Sequence, residues 1–304
     1  MKKIVSALSL GILSVALVGV VFSSCKKSST IAPPTLIGGY ASSDSVAPGN
    51  LIAYWPFDGN ANDVKGGQTG TTAGGVSFTT GVRGQAYQGT SSGYATVPAN
   101  SSFASIGSYS VSFWFKLPAQ PVSSPNNDPA GMFFLSGTTT QNEIMAEIES
   151  YKPVSKDSVK IHHGFNNVGS PAWQGFIMES FDTSAINNWI HQVTTYDGAS
   201  STYTIYENGV AIGNSSAFSN GTYVTPTTIY TDGSKATPMG NLNFSSDPPK
   251  QVILGTWPAG LFGVSPTLGS NGCFLGQMDE LRVYNKALSA SEVNGLYLNG
   301  KAGR

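Results

Sequence analysis

The sequence predicts an all-β sandwich of antiparallel strands with one short helix at its carboxyl end. Three observations carry this. From Asn50 onward, runs of five to nine apolar, β-branched or aromatic residues are separated by clusters of Gly, Asn, Ser and Pro, the punctuation of short strands. Glycine makes up 36 of 304 residues, well above the roughly 7% of an average chain, as a turn-rich protein requires. Finally, Glu207-Asn208-Gly209-Val210 joins two such runs, and Asn-Gly tolerates the positive φ that a two-residue antiparallel hairpin demands.

The elements follow in order. Residues 110–115 alternate, so Val111, Phe113 and Phe115 share a core face while Ser110, Ser112, Trp114 and Lys116 take the other. Residues 142–150, 157–165, 189–196, 203–207, 251–257 and 278–285 read as further strands, with Trp55 and Trp189 assigned to the core. The helix starts at Ser289-Ala290-Ser291-Glu292, a capping box flanked by Leu288 and Val293 in hydrophobic-staple positions, and Gly300 is placed to end it. Residues 214–249 and 258–272 read as long loops, functional or decorative. One sandwich over residues 50–304 suffices, because all-β units run to 200–250 residues.

Composition excludes several functions. Hydrophobic residues are 40% and include 15 Phe, 13 Tyr and 5 Trp, enough for a core. Charged residues are only 11% and the formal net charge is −1, so no field exists to hold a nucleic acid. The three histidines, His162, His163 and His191, lack metal-site spacing, and Cys273 lacks an internal disulfide partner once Cys25 is otherwise engaged.

Lys2-Lys3, the apolar residues 4–22 and the small Ser23-Ser24 before Cys25 form an export signal. The run resembles a bacterial lipoprotein signal. That resemblance implies a signal peptide at residues 1–24, lipidation of Cys25 and a membrane partner through the lipid anchor, at the outer membrane with the facing side left open. A transmembrane anchor is the alternative, since about 20 residues span a bilayer. Residues 25–49, rich in Ser, Pro, Thr and Gly, are expected to be a flexible tether.

Four segments then carry a more specific likeness: Ile52-Ala53-Tyr54-Trp55-Pro56-Phe57-Asp58-Gly59-Asn60; Asn188-Trp189-Ile190-His191 running on to Tyr196-Asp197-Gly198; Tyr206-Glu207-Asn208-Gly209; and Met278-Asp279-Glu280-Leu281-Arg282-Val283-Tyr284-Asn285. Together they resemble the concanavalin-A-like, laminin-G-type jelly roll. The resemblance implies that fold; it does not single out an activity, because lectins, glycan-binding modules, glucanases and adhesion domains share it.

Asp58, Asn60 and Asp63 lie in a turn after the first strand, and Asp279 shares strand parity with Leu281 and Val283, which places a carboxylate toward the core. A buried carboxylate needs hydrogen bonds or a cation, and Asp plus Asn oxygens suit calcium. The resemblance implies a structural calcium near these segments; capping of turns is the alternative. Glu143, Glu147 and Glu149 share one parity of their strand. Three readings stay open: an exposed polar sheet face, a concave surface accepting sugar hydroxyls, or a relic of the glucanases' paired carboxylates in which Met145 replaces the central Asp. Retaining chemistry needs carboxyls about 5–5.5 Å apart, whereas i,i+4 residues of a strand lie about 13 Å apart. No catalytic residue is therefore assigned.

Aromatic planes stack on the C–H faces of sugars. Trp173, in a Gly/Ser/Pro-rich stretch, is the first candidate; Trp114 follows, with packing under a loop as its alternative, and then Tyr151, His162 and Trp257, each of which could equally cover a sheet edge. The expected function is a non-catalytic carbohydrate-binding lipoprotein with an oligo- or polysaccharide partner. A protein-binding or adhesion module and a glycoside hydrolase are the alternatives.

Overall fold

The computed structural model describes residues 35–119, 129–139, 143–149, 158–167, 173–182, 186–212, 226–231, 235–259, 267–269 and 272–304. Cys25, the expected export signal and Tyr151 lie outside the described residues. The strands are β1 (Leu51–Trp55), β2 (Thr71–Ala73), β3 (Ser77–Thr80), β4 (Gln85–Gln88), β5 (Tyr94–Pro98), β6 (Tyr109–Lys116), β7 (Ala130–Ser136), β8 (Ile144–Glu149), β9 (Ser158–Asn167), β10 (Trp173–Asp182), β11 (Ile190–Asp197), β12 (Thr202–Glu207), β13 (Val210–Ala211), β14 (Thr227–Thr228), β15 (Gln251–Leu254) and β16 (Gln277–Tyr284), followed by the helix α1 (Ala290–Lys301).

They form two sheets. One runs β10-β9-β8-β7-β15-β5-β2; the other runs β13-β12-β11-β6-β16-β4-β3, with β1 also on β16 and β14 on β12. Every pairing between these strands is antiparallel. The main core lies between the sheets and takes Val111, Phe113 and Phe115 from β6, Ile144, Ala146 and Ile148 from β8, and Val252 and Leu254 from β15. The Asn208-Gly209 turn is as expected, both residues having positive φ and Glu207 pairing with Val210. Part of the first long loop is structural: Met239, Leu242 and Phe244 enter the main core.

The boundary of the domain moves. Ile37 and Tyr40 exchange backbone hydrogen bonds, Ser43 N–H and Oγ–H donate to Arg304 O, and Asn299 Nδ2 donates to Ile37 O. Val46 is buried with Val193, Tyr206, Tyr284, Leu288, Val293 and Leu296. The folded unit therefore begins at Thr35, and the expected tether over residues 25–49 is corrected for its last fifteen residues: Tyr40 and Val46 supply the apolar surface that docks them.

This docking also explains α1. Ser289 Oγ accepts from Glu292 N–H at 3.3 Å and Glu292 Oε2 accepts from Ser289 N–H at 2.8 Å, closing the capping box. Gly300 does not end the helix, which runs to Lys301; Gly303, at positive φ, makes the turn. Gly300 and Gly295 instead permit close approach. A Cβ on Gly300 would sit 2.7 Å from Trp114 Nε1, and one on Gly295 would collide with the Tyr40 ring. Gly300→Ala should accordingly lower stability by about 1–3 kcal/mol, although Ala is the better helix former by about 1 kcal/mol. Thermal unfolding checks this, and a variant as stable as the parent would show that Trp114 has room to yield.

Candidate functional site

On β8 the alternation sends Ile144, Ala146 and Ile148 inward and Glu143, Met145 and Glu147 to the opposite face. That face is not the exposed polar surface it could have been. Glu143 is 0% and Glu147 2% exposed, because Met145 packs with Phe134, Ile253 and Trp257 across it, with Leu268 alongside. Glu147 Oε1 lies 3.2 Å from Nδ1 of His162, its cross-strand partner on β9. Among the described residues neither carboxyl oxygen of Glu143 has a hydrogen-bond partner. Burial, with a smaller contribution from Asp247, pushes Glu143 up to about 9, so it is neutral at physiological pH. Asp247 is held by Thr138 N–H, Thr139 N–H and Thr139 Oγ–H, which donate to its two oxygens. Glu149 ends β8 opposite Lys160. Trp173, expected in a loop, is instead the first residue of the edge strand β10, paired with Asn167.

The four residues expected to hold calcium do not converge. Asp63 is buried, its Oδ1 accepting from the N–H groups of Tyr54, Lys65 and Gly66 and its Oδ2 from Asn100 Nδ2. Asn60 is exposed and closes a local turn with Asn62 N–H. Asp58 and Asp279 reach one turn, residues 81–85, from two sides: Asp58 Oδ1 accepts from Gln85 N–H and Asp279 Oδ2 from Val82 and Arg83 N–H. Asp279 Oδ1 accepts from Glu280 N–H at 2.7 Å. Backbone donors thus do for these carboxylates what a cation would, and among the described residues no three His, Cys, Asp or Glu gather as metal ligands. The donor set fits calcium poorly.

The placement of Asp279 is also a correction of parity. Asp279 pairs with Trp114 but Arg282 with Ser112, so β16 carries one extra residue, and Glu280 takes φ 53°. This β-bulge reverses the alternation. Leu281 and Val283 face the core, whereas Asp279 shares the outer side with Trp114.

That outer side holds an open cleft of about 430 Å³, lined by Gly81, Val82, Trp114, Trp189, Asn208, Tyr297 and Lys301. Tyr297 of α1 stacks over Trp114 at 5.8 Å between centroids and 21° between planes, and His191 lies against the same indole at 4.9 Å. Trp114 is only 5% exposed, so the accessible aromatic surface belongs to Tyr297 and Trp189. Trp189 is half-buried rather than core, and Lys116 Nζ lies 5.0 Å from its ring centroid. Asn208 is fixed by its turn, with Oδ1 accepting from His191 N–H. Of this group the sequence pointed only to Trp114; Tyr297 and Lys301 lie on a helix whose side chains gave no ligand signal, and Trp189 reads as an ordinary strand-start aromatic.

The family profile of the concanavalin A-like lectin/glucanases superfamily matches residues 88–239. The chain belongs to this superfamily. Among curated proteins, none matches it. Solved structures similar to it include domain 4 of AbnA, a GH43 extracellular arabinanase from Geobacillus stearothermophilus in complex with arabinotriose, at 19% identity and TM-score 0.49, covering 82% of this chain and 98% of that one. The botulinum neurotoxin serotype D ligand binding domain in complex with N-acetylneuraminic acid is 14% identical at TM-score 0.52, covering 84% and 51%. A serotype D binding domain gives 13% and 0.51, covering 84% and 52%. This chain thus spans about half the length of the neurotoxin domains. The likeness to the two neurotoxin domains speaks for the fold alone, and the superfamily's sandwich is what the two sheets build.

Proposed function

We propose that the protein is a non-catalytic carbohydrate-binding lipoprotein that holds glycans at the bacterial cell envelope, with the Trp189–Tyr297 cleft as its glycan site. The observation that carries this is an open cleft presenting two partly accessible aromatic rings beside an amide and a lysine. Rigid rings offer large contact area at small entropic cost, and a sugar's C–H face matches them. A superfamily neighbour of the same fold is solved with N-acetylneuraminic acid, in line with a saccharide ligand. The acidic face speaks against hydrolysis: Met145 stands where a central Asp would be and packs with Phe134 and Trp257, leaving Glu143 and Glu147 enclosed.

Anchoring rests on the likeness of residues 1–25 to a lipoprotein signal. The folded unit begins at Thr35, and Gly38 lies against Gly295 and Leu298, beside Tyr297 on α1. Lipidation at Cys25 would leave ten residues of chain between the anchor and Thr35, a contour length of at most about 36 Å. No helix among the described residues is long and apolar enough to cross a membrane. Cys25→Ala should release the protein from membranes; an integral, unprocessed form would support the transmembrane alternative.

A glycan array followed by calorimetry tests binding. Dissociation constants between millimolar and micromolar are expected, roughly −4 to −8 kcal/mol, and Trp189→Ala should weaken binding at least tenfold, about 1.4 kcal/mol. Failure to bind any glycan, with capture of a defined protein partner, would replace this reading by an adhesion module. Hydrolysis products that vanish in Glu147→Gln would make it an enzyme.

A further inference from the structure

We infer that the cleft selects a saccharide bearing a carboxylate, a uronic or nonulosonic acid residue, over a neutral sugar. This rests on the glycan reading of the same cleft and deepens it. The lining includes one cation, Lys301, and no carboxylate. Lys301 Nζ lies 5.6 Å from the Tyr297 ring centroid and 3.5 Å from its hydroxyl. Lys116 Nζ sits over the other accessible ring, Trp189. Both ammonium groups rest on π-faces, and neither has a carboxylate within ion-pair distance among the described residues. Cation–π contact holds such a charge in place without neutralising it.

The nearby carboxylates are turned to other tasks. Glu207 accepts from Asn208 Nδ2, and Asp279, fully buried beneath Gly81, accepts three backbone N–H groups. Arg83, in the adjoining turn, is spent on Asp44 through two contacts of 2.7 and 2.9 Å. The cleft thus joins two aromatic rings to one lysine in its lining, with a second, Lys116, over the Trp189 ring, and neither has a carboxylate partner among the described residues, so a sugar ring held beside these rings has an ammonium within reach of its carboxylate. A charge-assisted hydrogen bond of that kind is about twice as strong as a neutral one.

The test is calorimetry on the lipid-free full-length protein (Cys25→Ala) with a panel of trisaccharides: galacturonate, glucuronate-containing and N-acetylneuraminate-containing, each beside its methyl ester, which keeps the ring and removes the charge. The inference expects at least one free acid to bind tenfold or more tightly than its ester. Lys301→Gln should erase most of that difference, and Lys116→Gln should act in the same direction. Raising salt from about 50 to about 500 mM should weaken the acid and spare the ester. Binding that depends on Trp189 but is equal for acid and ester would overturn the inference and leave the glycan reading standing. Binding insensitive to Trp189→Ala, or no binding to any of the panel or to neutral glycans, would remove both. Thermal unfolding of each variant excludes misfolding as the cause, since Lys301 is exposed at the helix end.

Discussion

Arg282→Ala should destabilise the protein by about 3–5 kcal/mol, as expected when one partner of a buried ion pair is removed. The Arg282 side chain is 3% exposed, with Nη2 2.6 Å from Glu280 Oε2 and 2.9 Å from Asp44 Oδ1, and its guanidinium lies 4.1 Å from the Tyr54 ring centroid. Glu280 is itself 1% exposed and accepts from the Tyr54 hydroxyl. Truncating Arg282 strands that carboxylate, with only Arg83, 3.6 Å away and partly exposed, left to answer it. The same change removes one of the two arginines that hold Asp44, leaving Arg83, and so loosens the segment at Ser43–Ser45 that packs beside α1. Urea unfolding measures the loss. The paired replacement Arg282→Met with Glu280→Leu should recover much of it, because an apolar pair of similar volume carries no desolvation cost. A single-variant loss below about 1 kcal/mol would mean that water reaches this pair after all, as it does exposed ones.

The cluster also marks how far the sequence could be read. Alternation over residues 110–115, the Asn-Gly turn and the capping box at Ser289 are local signals whose physics is complete within a few residues, and each matches the structure. β7 is different. Its residues Ala130–Ser136 are buried on both faces, so no period-two pattern marks them as a strand. The bulge at Glu280 is equally silent, because its cause is distributed among Tyr54, Arg83, Arg282 and Asp44, residues up to 238 positions apart; without it Asp279 reads as facing the core. The docking of residues 35–49 depends on a groove that exists only once α1 is in place. The cleft joins the β6, β11 and β12 regions to α1, and its pairing of Trp189 with Tyr297 is a tertiary fact. Strand parity alone placed Trp114 on the outer face and could name it; the neighbours that complete the cleft come from other elements and were missed.

Glu143→Gln should raise stability at alkaline pH and leave it nearly unchanged near pH 5. Glu143 has no exposed surface and, among the described residues, no hydrogen-bond partner for either oxygen; burial foremost, and then Asp247, raise it to about 9 in the folded protein from 4.5. Below pH 4.5 both folded and unfolded chains carry the proton, and this group is at its least costly. Between 4.5 and about 9 the unfolded chain releases its proton while the folded chain retains it, so the unfolded state binds fewer protons and stability falls as pH rises. Above about 9 the loss levels off. Each pH unit within that window costs at most about 1.4 kcal/mol, so the whole interval is worth on the order of a few kcal/mol. Gln keeps the shape and removes the titration, so the difference between variant and parent should grow steadily from about pH 5 to about pH 9. His163 and His191, both pushed down to about 3 by burial, work in the opposite sense, lowering stability as pH falls below their unfolded value near 6.5. They are common to both proteins and cancel in the comparison. Urea unfolding of the pair at acid, neutral and alkaline pH decides the matter. A difference that stays flat with pH would show that Glu143 ionises freely and that the face of β8 is wetter than its packing with Met145, Phe134 and Trp257 indicates.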